Sequence, residues 1–460
     1  VSHAVGAAGR LPEGPRGRLP GRVVRGYAAG SVATGAFGTV PGLLLLPYLT
    51  DRLGVAAGLA GGIVFLPKAW DVVLNPVAGR ISDHHVSAAG PRRPFLIRAG
   101  VALAACFAVL FGGPSSPEAL AAVWVVVAFL ACATAYAFFQ VPYVAMPAEI
   151  TDDYAERTRL MTWRVAVLAF AILVSGASAP AIRDAVGPAQ GYRVMGVVVA
   201  LLILVGVVGA WRGTASAPVG RVHRTGGMLR DQLRIVAGAK DFRVLLGTFV
   251  LQALATGAML AGVDYVARHV LGSSSASTLL FVCFVAPAIL VTPLWERLGA
   301  RRGKRWGYAV ASVLLGGGAL ALVGARSLPA AAVYLAVAVV GVGYAGAQMF
   351  PMAMLPDVAA VDAARTGENR IGVFTGVWTA GETLGLALGP GLYAAVLALG
   401  GYVSSTDSTA AQPGSAVMAI TLGFSLVPAA LVALSLVLLA RYRLDEAAVR
   451  AANASSPQEV

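Results

Sequence analysis

Apolar stretches of twenty or more residues recur along the whole chain with only short breaks between them. No other feature restricts the fold so severely. A helix that crosses a bilayer needs about 20 mostly apolar residues, and it must satisfy its backbone internally because hydrocarbon offers no hydrogen bonds. Segments of this kind fall at 26–50, 55–82, 94–113, 117–147, 159–182, 192–212, 241–268, 275–298, 305–326, 329–355, 369–398 and 415–441, twelve in all. The breaks carry turn residues and charge, as in "SDHHVSAAGPRRP" and "GARRGKR". Composition agrees. Only 12% of the 460 residues are charged, against about 25% in a soluble domain, too few to cover a water-facing surface.

The longest internal polar stretch, "RGTASAPVGRVHRTGGMLRDQLRIVAGAK", follows the sixth segment and divides the chain in two. The expected organisation is a disordered cytoplasmic tail (1–25), a six-helix bundle (26–212), a cytoplasmic linker (213–240), a second six-helix bundle (241–441) and a tail (442–460). The first 22 residues contain no apolar run of the length a signal peptide needs, so they read as a basic tail.

The net charge of +13 does not point to nucleic acid, because the basic residues form short clusters between apolar segments with no interleaved aromatic surface. Even-numbered connections carry Arg80, Arg92 and Arg93, then Arg157 and Arg159, then Arg221, Arg224, Arg230, Arg234 and Lys240, then Arg297, Arg301, Arg302, Lys304 and Arg305. Odd-numbered connections hold Arg52, Arg183, Arg193, Arg268 and Arg326. The excess of Lys and Arg on one side predicts a multi-pass protein of the cytoplasmic membrane with both termini in the cytoplasm. Cys106, Cys132 and Cys283 all lie in apolar segments, at spacings that fit no zinc site or disulfide framework.

The halves repeat. Segment four ends "YAFFQVPYVAMPAEITDDYAERT" and segment ten ends "YAGAQMFPMAMLPDVAAVDAART". One offset of 208 residues places Tyr136 on Tyr344, Gln140 on Gln348, Glu149 on Asp357 and Arg157-Thr158 on Arg365-Thr366. The copies lie an even number of spans apart and so share one membrane orientation. Parallel repeats of this kind build the halves of major facilitator transporters. The expected fold is therefore an all-α membrane protein with twelve transmembrane helices in two pseudo-symmetric six-helix bundles, and the expected activity is carriage by alternating access between them.

Charge inside a membrane helix costs about 2.5–3.5 kcal/mol on insertion scales, so it finds a partner or lines a wet cavity. "KAWDVVLNP" puts Lys68, Asp71 and Asn75 on one helical face. They either line a central cavity or form a neutralised pair that holds helices together. Gln140 and Gln348 stand at matching depths and either line the cavity or bond between helices. Arg164 lies near the cytoplasmic end of segment five, and Glu382 is in mid-span in "WTAGETLGLALG". Asp264 sits near the outer end of segment seven and reads as interfacial. Gly381, Gly385 and Gly389 recur every four residues, a stripe for close helix approach. "GRISDHH…GPRRP" offers Asp83 as a latch that engages nearby arginines in one transport state, with Arg92 and Arg93 as its partners, or else a solvated loop that serves topology.

Together, "KAWDVVLNPVAGRISD" with "GPRRPFLI", "MPAEITDDYAERTRL" and "MLPDVAAVDAARTGENRIGVFTGVWTAGETLGLALGPGL" resemble the glycoside–pentoside–hexuronide:cation symporter family, which includes melibiose permease. The resemblance runs from about residue 26 to residue 441. It implies a small-molecule substrate, a sugar or glycoside by default, moved by a monomer with no cofactor beyond a coupling H+ or Na+. Of the family's cation-binding acids, the first on helix two matches Asp71. The second falls on Asn75, and the helix-four carboxylate falls on Gln140. The sugar-binding acid of helix one falls on Gly35. The helix-eleven lysine falls at or beside Thr383, the helix-five arginine matches Arg164, and a basic residue before the Trp-Asp pair matches Lys68. One carboxylate beside a lysine is a poor sodium site, so proton coupling through Asp71 or Glu382, sodium coupling assisted by Glu382, and uncoupled exchange all stay open. A carrier or exporter of a lysolipid-like compound is the alternative within transport. An intramembrane enzyme is the alternative outside it, on the strength of "TDDYAER" alone; no nucleophile–base set accompanies that motif.

Overall fold

The computed structural model describes residues 18–89, 92–151, 153–217, 235–366, 370–406 and 411–444, apart from some side chains within them, Asp83 and its successors in the second helix among these. The helices are α1 (Gly21–Pro47), α2 (Ala57–Ala89), α3 (Arg93–Leu110), α4 (Glu118–Ile150), α5 (Tyr154–Val186), α6 (Gly191–Gly213), α7 (Lys240–His269), α8 (Ala276–Arg302), α9 (Lys304–Ala321), α10 (Ala330–Thr366), α11 (Ile371–Leu399), α12 (Gly414–Phe424) and α13 (Leu426–Leu439). Every expected segment coincides with a helix, but α2 runs to Ala89 and α10 to Thr366, well past the expected ends at 82 and 355, and α1 begins at Gly21, inside the stretch 1–25 expected to be a disordered tail. Eleven spans among the described residues are long and apolar enough to cross a membrane. The expected count was twelve. The helix that does not qualify is α2, which holds the Lys68–Asp71 pair and some of whose side chains fall outside the description.

The expected segment 415–441 is two helices, α12 and α13, broken at Ser425. Pro428 has no amide hydrogen for the carbonyl of Phe424, and its ring crowds that turn, so a continuous helix fails here. The Ser425 hydroxyl instead donates to the Thr421 carbonyl at 2.6 Å. At the other end of the chain, α1 runs on through Pro47 into a single wide turn, Tyr48–Arg52, closed by Leu53 N–H on the Tyr48 carbonyl at 3.1 Å. The i→i+5 bond rotates the following side chains relative to an α-helix, which matters below for Thr50 and Asp51.

Small residues set the packing. In the first half α1 is buried against α5 and α6: Gly26 and Gly213 face each other so closely that a Cβ on either would strike the other's Cα. In the second half α7 takes the matching role against α11, with Gly257 meeting Gly389. The glycine stripe read from sequence is this contact, with Gly381 against Leu246, Gly385 against Ala253 and Gly389 against Gly257 and Ala258. Gly303, at φ +86°, turns the chain sharply from α8 into α9 in a conformation that side chains resist.

The internal repeat extends to ion pairs. Arg92, just before α3, bonds Glu149 near the end of α4, and Lys304, at the start of α9, bonds Asp357 of α10 at 2.6 Å. Glu149 and Asp357 are the pair matched by the 208-residue offset. Between the halves, α2 lies along α11, α5 along α8, and α1 along α7.

Candidate functional site

Lys68, Asp71 and Asn75 all lie on α2. Lys68 Nζ stands 3.7 Å from Asp71 Oδ2, one helical turn away, and over the ring of Phe37 on α1 at 5.6 Å from its centroid. Asp71 is 4% exposed, and its second oxygen has no hydrogen-bond partner. Lys68 is half-buried and Asn75 is exposed. The ammonium and the amide are therefore the groups nearest to open space, with the carboxylate behind them. Asp71 is not itself open to a chamber, contrary to the simplest sequence reading.

An aromatic wall backs the pair. The ring of Phe37 lies 4.6 Å from that of Tyr136 on α4. Tyr136 feels the charges of both Asp71 and Arg164. The Arg164 guanidinium sits 5.6 Å from the ring centroid of Tyr143, with its Nε unpartnered. Tyr143 is fixed in turn: its hydroxyl donates to the Tyr27 carbonyl at 2.7 Å, lies 3.0 Å from Ser31 Oγ, and its ring stacks on Tyr27. Lys68, Asp71 and Arg164 thus share one neighbourhood in the first half. Gln140 is half-buried on the same helix as Tyr136, one turn along, and its carbonyl oxygen is also unpartnered.

The second half brings Gln348 and Glu382 together. Gln348 on α10 lies near both Glu382 of α11 and Tyr344, without a hydrogen bond to either among the described residues. Gly381 turns one side of α11 to α7, and Glu382, the next residue, projects about 100° around the helix. Thr383 follows, half-buried. No direct contact is described between this cluster and the first. Sequence reasoning missed Phe37, Tyr136, Tyr143 and Tyr344. For Tyr136 and Tyr344 the signal was present, since the repeat offset already matched them.

Of the residues expected to gate, Arg92 bonds Glu149 and Ser82 (the latter at 2.6 Å), and Arg93 donates to the Trp211 carbonyl at 2.8 Å and stacks on that indole. These contacts lie within the first half. The Asp83 side chain falls outside the described residues.

A second polar cluster, at the end of the bundle away from the termini, was not foreseen. Asp264 of α7 is fully buried, not interfacial as its position in the sequence suggested. Arg183 of α5 donates to its Oδ1 at 2.8 Å, Ser277 of α8 donates to the same oxygen at 2.7 Å, and Arg268 lies 2.9 Å from its Oδ2. Arg183 also bonds Asp184 at 2.7 Å. Beside this, the wide turn after α1 presents Thr50 to Tyr265 at 2.7 Å and Asp51 to the hydroxyl of Tyr402 at 2.7 Å. Burial and the Asp51 charge push the Tyr402 phenol up, so it stays protonated and donates. The buried Arg183 and Asp264, with the half-buried Arg268 and Asp184, would be costly unpaired. Here they pair across the halves.

A family profile described as "MFS/sugar transport protein" matches residues 26–446. The chain belongs to this family. Among its relatives is the glucuronide carrier protein homolog of Escherichia coli (strain K12), 26% identical over 93% of this chain and 94% of the relative. Another is the isoprimeverose transporter of Lactiplantibacillus pentosus, 22% identical over 87% of this chain and 84% of the relative. A D-xylose-proton symporter superposes with a TM-score of 0.69 at 12% identity, covering 92% of this chain and 98% of that one, and shares its fold. As a member of the MFS family the protein is a multi-pass membrane transporter with a small-molecule substrate, not an enzyme. "TDDYAER" has a structural use: Glu156 accepts the Leu19 backbone N–H at 3.0 Å and pairs with Arg159.

Proposed function

We propose that this MFS transporter carries a sugar or glycoside across the cytoplasmic membrane by alternating access, as a monomer with both termini in the cytoplasm and with a proton as the coupling ion. Lys68, Asn75, Gln140 and Arg164 face the solute from the first half, with Asp71 behind Lys68 as the coupling carboxylate, and Gln348, Glu382 and Thr383 face it from the second. The observation that carries this reading is Asp71, buried with one oxygen on Lys68 and the other unpartnered. A buried carboxylate with a spare acceptor and an ammonium one turn away has two stable arrangements. Charged, it holds Lys68. Protonated at the free oxygen, it releases Lys68 to donate to a solute hydroxyl. A single carboxylate with an ammonium beside it is a poor sodium site, which favours H+ over Na+.

The sugar assignment is supported by the relatives' names and by the aromatic wall beside the polar groups, since sugars present apolar ring faces together with hydroxyls. With the termini in the cytoplasm, the cross-half contact at Asp264 lies on the outer side and closes the halves there. Counterflow of labelled glycosides in proteoliposomes tests the proposal. Asp71→Asn should retain exchange but lose accumulation driven by a proton gradient. Wild-type accumulation by that variant would remove Asp71 from the coupling site.

A further inference from the structure

At the ends of α7 and α13 nearest the termini a cavity of about 580 Å³ is lined by Lys240, Arg243, Arg441 and Arg443 above an apolar wall of Val244 and Leu438. The four cations are exposed, and among the described residues their side chains have neither an ion pair nor a hydrogen bond. Among the described residues the nearby acids make other contacts. Asp241 accepts the backbone N–H of Arg443 at 3.3 Å, and Asp357 pairs with Lys304 at 2.6 Å. Arg305 adds a fifth cation nearby, bonded to the Ala440 carbonyl at 3.1 Å. Topology alone asks for positive charge somewhere in these loops. It does not ask for four cations around one hollow.

The geometry points to a binding site for the headgroup of an anionic phospholipid. The cations supply donors for a phosphodiester. The wall continues away from the cavity along α13, where Val437 and Leu434 are 55% and 52% exposed, a track suited to an acyl chain. A free phosphate would use the cations and leave that track idle; a phospholipid uses both. Basic pockets between membrane helices on the cytoplasmic side take such headgroups. The assignment to the inner leaflet rests on the proposed orientation, while binding itself does not.

The test uses the full chain, purified and stripped of lipid in detergent. Phosphatidylglycerol or phosphatidylcholine of identical acyl composition is added, and retained lipid is counted by native mass spectrometry. Phosphatidylglycerol should be retained at least ~10-fold over phosphatidylcholine, with the preference weakening as salt rises. The combined variant Arg243→Gln, Arg441→Gln, Arg443→Gln should lose that preference, and the corresponding triple Lys variant should keep most of it. Equal retention of both lipids, or an undiminished preference in the Gln variant, would overturn the site. So would displacement of the lipid by millimolar inorganic phosphate, which would identify a plain anion site. If the Gln variant does not fold, the salt dependence and the Lys variant decide. Because no transport is measured, failure of the carrier reading would leave this result standing.

Discussion

At the scale of single residues, Asp71 and Lys68 are bound together more tightly than either is to the rest of the protein. Removing one partner of a buried pair leaves an uncompensated charge and costs about 3–5 kcal/mol, whereas replacing both by apolar groups of similar volume is often neutral. Lys68 is partly exposed, so its own loss falls at the low end of that range. Lys68→Met should therefore lower the unfolding temperature by several degrees, and Lys68→Met with Asp71→Leu should restore most of it. Thermal unfolding of the purified variants checks this. If the double variant is no better than the single, the pair is not the unit of stability. Gly35 shows why one family feature is missing. A Cβ there would lie 2.9 Å from the Cβ of Ala171 and 3.2 Å from the amide nitrogen of Ile172, so the position belongs to the α1–α5 contact and has no room for a carboxylate. Gly35→Asp should reduce folded yield without creating a sugar-binding acid. The i, i+3 spacing of Lys68 and Asp71 was legible in the sequence. Their aromatic surroundings were not, because Phe37, Tyr136 and Tyr143 come from other helices and only packing brings them in.

At the scale of elements, the most extensive helix contact is α7 on α11, and glycine decides it. A Cβ at Gly389 would lie 2.5 Å from the Ala258 nitrogen, and backbone cannot step aside as a flexible side chain can. Gly389→Ala should destabilise by about 1–3 kcal/mol. Gly376, in the same helix, has nothing within 4 Å of its Cβ position. Gly376→Ala should gain up to about 0.5–1 kcal/mol from helix propensity. Melting temperatures of the two variants should move in opposite directions; a shared direction would show that propensity outweighs contact here. The spacing of Gly381, Gly385 and Gly389 announced this interface in advance, as the apolar runs announced the spans. Two element-level features escaped. α10 continues to Thr366, eleven residues past its apolar run, because the polar extension satisfies itself through Asp362 with Arg365 and Asp357 with Lys304. The break at Ser425 escaped because hydropathy averaged over a window does not register one missing amide hydrogen at Pro428.

At the scale of the whole molecule, the Asp264 cluster is what an alternating-access carrier must break to open on that side. Its members come from both halves: Thr50, Asp51, Arg183 and Asp184 from the first, and Asp264, Tyr265, Arg268, Ser277 and Tyr402 from the second. Each bond is short and most of the atoms are buried, so the cluster contributes to the state in which the halves meet here. When they part, water replaces the protein partners, and the contribution vanishes. Asp264→Asn therefore acts on one state alone. It leaves Arg183 and Arg268 with only Asp184 between them, and because Arg268 is 27% exposed the cost lies toward the low end of the about 3–5 kcal/mol for breaking a fully buried pair. Even 1.4 kcal/mol falling on one conformation shifts the population about tenfold. The shift can be read at Leu260, one turn deeper on α7, where its side chain packs against Gly42 of α1 beneath the cluster. In a background with Cys106, Cys132 and Cys283 replaced, Leu260→Cys should react slowly with an impermeant maleimide added outside cells. Adding Asp264→Asn should speed that reaction at least ~10-fold. Asp362→Asn, which disturbs an ion pair confined to the second half near the opposite end, should leave the rate unchanged. An equal rate with and without Asp264→Asn would mean that the apolar contacts of α2 with α11 and α5 with α8 hold the halves together, and that the buried charges only fill space between them.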